Sequence, residues 1–201
     1  MPLPNRVNPF GELFATPARG TFMGNRGGRL HDDRQKLGSR RWTSKQWICC
    51  KLEFNNRHRV VWGDSYTELF FLDEVTAFAA GHRPCFECRR KDAEHFALLF
   101  AGKKKRASAP AMDAVLHAER LVGAAKRAHV RKLDTLPDGA MIALVDEAYA
   151  VRGRRLLRWT AAGYSQSIPR RRGVEADVLT PPSILDVLKR GYTPLWHASA
   201  D

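Results

Sequence analysis

The chain has 201 residues, 44% of them apolar, and 34 Lys and Arg against 21 Asp and Glu leave a net charge of +13. That size allows one sizeable core or two small ones, and the apolar content excludes a disordered chain. No run approaches the roughly 18 apolar residues of a membrane span, whereas the positive charge favours a polyanion, with nucleic acid, DNA before RNA, as the expected partner.

Residues 1–45 read as irregular, and MPLPNRVNPFGELF lacks the charged start and apolar stretch of a signal peptide, so a cytoplasmic location is expected. GTFMGNRGGRLHDD turns at Gly27-Gly28, where Arg26 and Arg29 flank amides that could cradle a phosphate. QWICCKLEF at 46–54 alternates as a half-buried strand, with Cys49 and Cys50 on opposite faces. RVVW at 59–62 reads as a returning strand and YTELFF at 66–71 as a third. Asp73 caps a short helix that stops at Gly81, and a second helix follows over 89–101.

The loop AGKKKRASAP marks a boundary. It separates residues 1–105, an irregular segment and a cysteine lobe, from a C-terminal lobe over 106–201. The spacing in that second lobe predicts one long helix over 109–130. Strands follow in MIALVDEAYAV, RRLLRWTAAGY and VEADVLT, then a helix from Pro181 to Gly191. The fold class is therefore α+β. Residues 151–172 carry seven arginines and no acid beside Trp159 and Tyr164, a composition suited to phosphates and bases. Arg170, Arg171 and Arg172 are the expected contacts there, and Arg26, Arg29, Arg83, Arg89 and Arg90 are expected to face phosphates as well.

GHRPCFECRR at 81–90 holds two of the four cysteines, Cys85 and Cys88, in a C-x2-C turn. Such a turn presents both sulfurs to one point, as a tetrahedral zinc requires. A helix starting just after it aims amides at the thiolates, and Arg83, Arg89 and Arg90 add positive charge. A redox dithiol and two inert buried side chains are the other readings. The remaining zinc ligands fall to Cys49 and Cys50. Both can serve only if the strand bends; otherwise one serves with a histidine, His82 being nearest and His58 and His95 the others.

FFLDEVTAFAAGHRPCFECRR resembles the metal-binding domain of the Ada DNA alkylation-repair proteins, in which an alanine-rich helix runs through glycine and an aromatic residue into RPC-x-x-C. Ala77, Ala79, Ala80, Gly81, Arg83, Pro84, Cys85 and Cys88 match, and His82 stands at the aromatic position. The likeness covers about residues 45–100. Upstream, Ile48-Cys49-Cys50 stands where that family has an apolar strand ending in C-x3-C. The resemblance implies a four-cysteine zinc site over Cys49, Cys50, Cys85 and Cys88. It also implies a metal-held thiolate at Cys49 or Cys50 that takes a methyl group from DNA.

A rival reading uses HAE at 117–119 with PCFEC at 84–88, the two signatures of zinc deaminases in reversed order. His117 with Asp113 one turn earlier and Glu119 could alternatively form an acid–base cluster without metal. The expectations are thus a zinc-binding nucleic-acid protein of DNA repair or modification, a hydrolytic enzyme centred on Asp113, His117 and Glu119, or a structural zinc module for protein contacts.

Overall fold

The computed structural model of the chain describes residues 1–57, 60–102 and 105–201. Six short strands build a mixed sheet in the first half: β1 (Arg6–Val7), β2 (Leu13–Phe14), β3 (Phe22–Asn25), β4 (Ile48–Cys50), β5 (Leu69–Phe71) and β6 (Arg83–Pro84). Their order is β2-β1-β5-β3-β4-β6, with β1·β5 and β4·β6 parallel. Three helices follow or interrupt them: α1 (Glu74–Ala79), α2 (Arg90–Ala101) and α3 (Ala109–Arg120). A small hairpin, β7 (Leu121–Val122) and β8 (Ala125–Lys126), leads into β9 (His129–Lys132). The second sheet adds β10 (Met141–Leu144), β11 (Glu147–Arg152), β12 (Arg155–Thr160), β13 (Gly163–Pro169) and β14 (Glu175–Val178), before α4 (Pro182–Lys189). It is antiparallel throughout, in the order β13-β12-β11-β10-β14-β9. Helices and strands together make the expected α+β fold.

Alternation decides where the core lies. Ala148, Ala150 and Leu157 pack on one face of the second sheet, against Leu72, Val75 and Ala79. Their chain neighbours Tyr149, Val151 and Leu156 pack on the other, with Leu133, Leu136 and Leu185. Both faces are covered, which a period of two achieves only when polar residues are displaced to the turns. A helical layer joins Phe78 of α1, Phe96 of α2, Met112 and Leu116 of α3 and Val187 of α4. Two of these clusters draw residues from both sides of the expected boundary near 105.

α1 is the hinge of that arrangement. Asp73 caps it by accepting from Thr76 N at 2.8 Å, and its other oxygen accepts from Tyr164 Oη at 2.8 Å and His197 N at 3.1 Å. Glu74 accepts from Tyr192 Oη and Leu195 N, each at 2.9 Å. A six-residue helix has little stability of its own, so these ties and its complete burial hold it. It ends at Gly81, whose φ of +87° suits glycine, and a Cβ there would lie 2.6 Å from Arg120 Cδ. Gly81→Ala is therefore expected to lower stability by roughly 1–3 kcal/mol in urea unfolding. A loss below a few tenths would mean that Arg120 yields freely.

Several expected elements differ: residues 1–45, expected irregular, hold β1, β2 and β3, and MIALVDEAYAV and RRLLRWTAAGY each fold back as two paired strands. The long helix stops at Arg120, because residues 121–126 turn back as a hairpin about Gly123, at φ +60°. The apolar period continues into Leu121 and Val122, but Val122 is exposed. The strand expected over 59–62 begins at Arg59, outside the described residues. Val61 and Trp62 lie in a turn, where Trp62 N donates to Glu68 Oε2 at 2.8 Å.

Candidate metal centre

β4 runs parallel to β6, with Ile48 opposite Arg83 and Cys49 opposite Pro84. Cys85 N donates to Cys49 O at 3.0 Å, so the strand and the C-x2-C turn are fastened together. Strand alternation then sends Cys49 and Cys50 to opposite sides. Cys50 faces Met23, Cys85 and Cys88, with Phe54, Tyr66 and Phe70 packed around them. The sulfurs of Cys50, Cys85 and Cys88 all lie within 4.8 Å of one another, close enough to hold a metal ion. All three are buried beneath a thin cover, at 6%, 7% and 8% exposure, so the group lies just below the surface.

The turn is built for negative sulfur. Glu87 N points at Cys85 Sγ at 3.4 Å, and Arg89 N closes the turn on Cys85 O at 3.1 Å just before α2 begins. Hydrogen bonds from Cys50 and Cys88 hold the Cys85 thiol far below its ordinary range. Donating to Cys85 and Cys88 pushes the Cys50 thiol far up. Three thiols this close share one negative charge unless a cation joins them. A dication would let all three ionise, and thiolate is the form that ligates metal.

Cys49 is not part of the group, a correction to the four-cysteine expectation. It is fully buried against Val7, Phe22 and Leu69, and Arg89 Nη1 stands 3.6 Å from its sulfur. Burial pushes its thiol up. No bend or bulge rescues it, because β4 keeps regular pairing with β3 through Met23–Cys50 and Gly24–Cys49. His82 and His95 do not complete the set either. His82 packs edge-on against Phe71 at 4.6 Å, and burial followed by Arg26 and Arg120 keeps it neutral, well below the usual histidine range. His95 stacks on Tyr192. His58 lies outside the described residues.

The three residues of the hydrolytic reading do not converge. Asp113 is held bidentately by Arg83, at 2.8 Å from Nε and 2.7 Å from Nη2. His117 has Arg120 Nη2 3.0 Å from its Nδ1 and Trp42 against its ring. Glu119 caps α4, accepting from Ser183 N at 2.9 Å and Ser183 Oγ at 2.7 Å. His117 is absent from the thiol group, so the histidine and two cysteines of a deaminase set do not meet.

The arginines divide sharply. Arg26, Arg83 and Arg89 are buried, at 1–3% exposure, and so do not face phosphates on an open surface. Arg83 pairs with Asp113, and Arg89 pairs with the buried Glu74 at 2.6 Å. Arg170 ties the hairpin down instead of reaching outward, donating to the carbonyls of Leu133 and Leu136. Arg29 pairs with Asp33, and Arg90 with Glu94. Arg171 and Arg172 are exposed. Arg154 and Arg155, also exposed, join them at the same end of the sheet, since Arg155 lies opposite Pro169 and Arg170 N donates to Arg154 O. That convergence follows from the hairpin register, which a sequence with two short arginine runs does not display. Comparison of the chain with known protein families, curated proteins and solved structures finds no match.

Proposed function

We propose that the chain is a zinc-binding protein that works at nucleic acid, in DNA repair or modification. The observation that carries the reading is the convergence of Cys50, Cys85 and Cys88 from two separated stretches. Three thiolates and no carboxylate suit zinc better than magnesium or calcium, which prefer oxygen. A bound zinc would hold these thiolates ionised at neutral pH. Three protein ligands leave a fourth position for a further side chain or an outside ligand. Of the two sulfurs that the Ada resemblance offers as methyl acceptors, Cys50 alone sits in the group. Arg154, Arg155, Arg171 and Arg172 form the exposed cationic end that faces the polyanion.

Metal content by mass spectrometry, on protein purified without a metal-affinity step, tests the first half. About one zinc per chain, the stoichiometry of one tetrahedral site, is expected. No metal in freshly reduced protein would sink the reading. For the second half, duplex DNA should bind with an affinity that falls steeply with salt, because neutralised phosphates release counterions. Removing both Arg171 and Arg172 should lower the slope of log K against log salt by about 2. An unchanged slope would move the interface elsewhere.

A further inference from the structure

Every buried arginine so far described has a carboxylate, except two. Arg26 and Arg120, each 1% exposed, clasp the ring of Trp47 from 3.9 Å, and among the described residues neither has an acid within ion-pair distance, although Asp113, itself paired with Arg83, still attracts Arg120. Arg26 Nη2 donates to Gly11 O at 2.8 Å. Arg120 donates to Gly81 O at 2.9 Å and Lys45 O at 2.8 Å, while its Nε has no hydrogen-bond partner among the described residues. Lys126 adds a third cation, tied to Ala79 O. All three line one cavity of about 530 Å³, with Arg41 beside them. Among the described residues Glu12 is the one acid lining the cavity, and it is already bonded to Asn8 Nδ2 at 2.8 Å. Phe10, Phe14 and Trp42 supply an aromatic wall.

Enclosed charge without a counter-ion is costly, and this chain elsewhere supplies the acid. Burial drives Arg26 and Arg120 down to about 9 and Lys126 to about 7; Arg120 repels both Arg26 and Lys126, while Asp113 offsets part of the burial effect on Arg120 itself. A free anion placed among them reverses that repulsion. The volume exceeds what a bare phosphate fills and lies within the range of small-molecule sites.

We propose that the cavity around Trp47 binds a nucleotide through its phosphate, with Arg26, Arg120 and Lys126 on the phosphate oxygens and the aromatic wall on the base. Arg41, exposed and lining the same cavity, adds a further positive charge. The ligand is a free mononucleotide or the phosphorylated end of a strand, which present the same chemistry. The site stands independently of the zinc reading, since it shares no residue with the thiol group.

Calorimetry and tryptophan fluorescence on the full chain at low salt test this with AMP, inorganic phosphate and adenosine. AMP should bind below about 1 mM, phosphate more weakly and adenosine not measurably. Lys126→Met and Arg41→Ala should each weaken AMP about tenfold or more, the usual effect of losing a charge-assisted contact. Binding should also weaken as pH rises from about 7.5 to about 9.5. AMP stays dianionic there, but Lys126, facing Arg26, Arg41, Arg120 and Glu12, must take up a proton to meet it. A 5′-phosphorylated oligonucleotide that binds more tightly than AMP and than its hydroxyl-ended twin identifies a strand end as the source; the reverse order identifies the free nucleotide. The proposal is overturned by no binding up to about 10 mM, by adenosine binding as well as AMP, by phosphate binding without AMP, or by variants that bind like the parent.

Discussion

On the zinc proposal, Cys85→Ser and Cys88→Ser should each abolish metal binding, while Cys49→Ala keeps it. The contrast follows from one alternation along β4: Cys50 turns to the thiol group and Cys49 to the apolar cluster with Phe22 and Leu69. Loss of a thiolate removes a ligand and the charge that the C-x2-C turn is shaped to hold, so the site and the ends of β4 and β6 loosen together. Binding energy at a structural zinc is folding energy, and the loss should reach about 5 kcal/mol or more in urea unfolding. Cys49→Ala only shortens a buried apolar side chain, at about 1–2 kcal/mol. A chelator should reproduce the serine variants in the parent protein and change them no further. If Cys49→Ala strips zinc as fully as Cys85→Ser, the placement of the two neighbouring sulfurs is wrong. His58→Ala, measured alongside, shows whether one of the histidines raised by the sequence is needed for the metal.

The local signals read well because they are complete within a few residues. Asp73 at the N-cap, Gly81 past the C-terminus and the C-x2-C turn each specify their own backbone, and the structure has all three in place. The second sheet is legible only in part: alternation marks its stretches, but MIALVDEAYAV and RRLLRWTAAGY each fold back as two strands, and β9 begins within the expected long helix. The helix over 109–130 misleads because its apolar period continues across Arg120, and Gly123, the residue that turns the chain, is also tolerated at a price inside helices. Charged residues are the least legible. Arg83 and Asp113 look like a phosphate contact and a catalytic acid when read singly, and thirty positions separate them. Glu119 likewise reads as part of HAE until α4 supplies Ser183. The Arg26–Trp47–Arg120 stack has no linear signature at all. Its trace is that Asp113, the acid nearest in sequence to Arg120 on its own helix face, is already taken by Arg83.

Arg83→Ala is expected to be among the most damaging single changes outside the thiol group, at about 3–5 kcal/mol in urea unfolding. Arg83 is 1% and the Asp113 side chain 9% exposed, and the two meet through paired hydrogen bonds. Removing the guanidinium leaves a carboxylate enclosed beside Met112 and Leu116 with no cation to meet it. The ion pair itself need not be strongly favourable, because both charges lose water to form it. The double variant Arg83→Met with Asp113→Leu should therefore recover most of the loss. The single and double variants together separate this reading from a catalytic one. A structural pair gives a large coupling energy, whereas an acid poised for chemistry would leave stability nearly unchanged when Arg83 is lost. The position of the pair explains why it matters to the metal centre. Arg83 is the first residue of β6, two before Cys85, and Asp113 lies on α3 beyond residue 105. The pair therefore anchors the entrance of the cysteine turn to a helix from the other half of the chain. Zinc affinity should fall with Arg83→Ala and return with the double variant. A double variant as unstable as the single one would mean that the guanidinium's contacts to Pro84 O and the Phe86 ring, and not the charge pair, set the geometry of the turn.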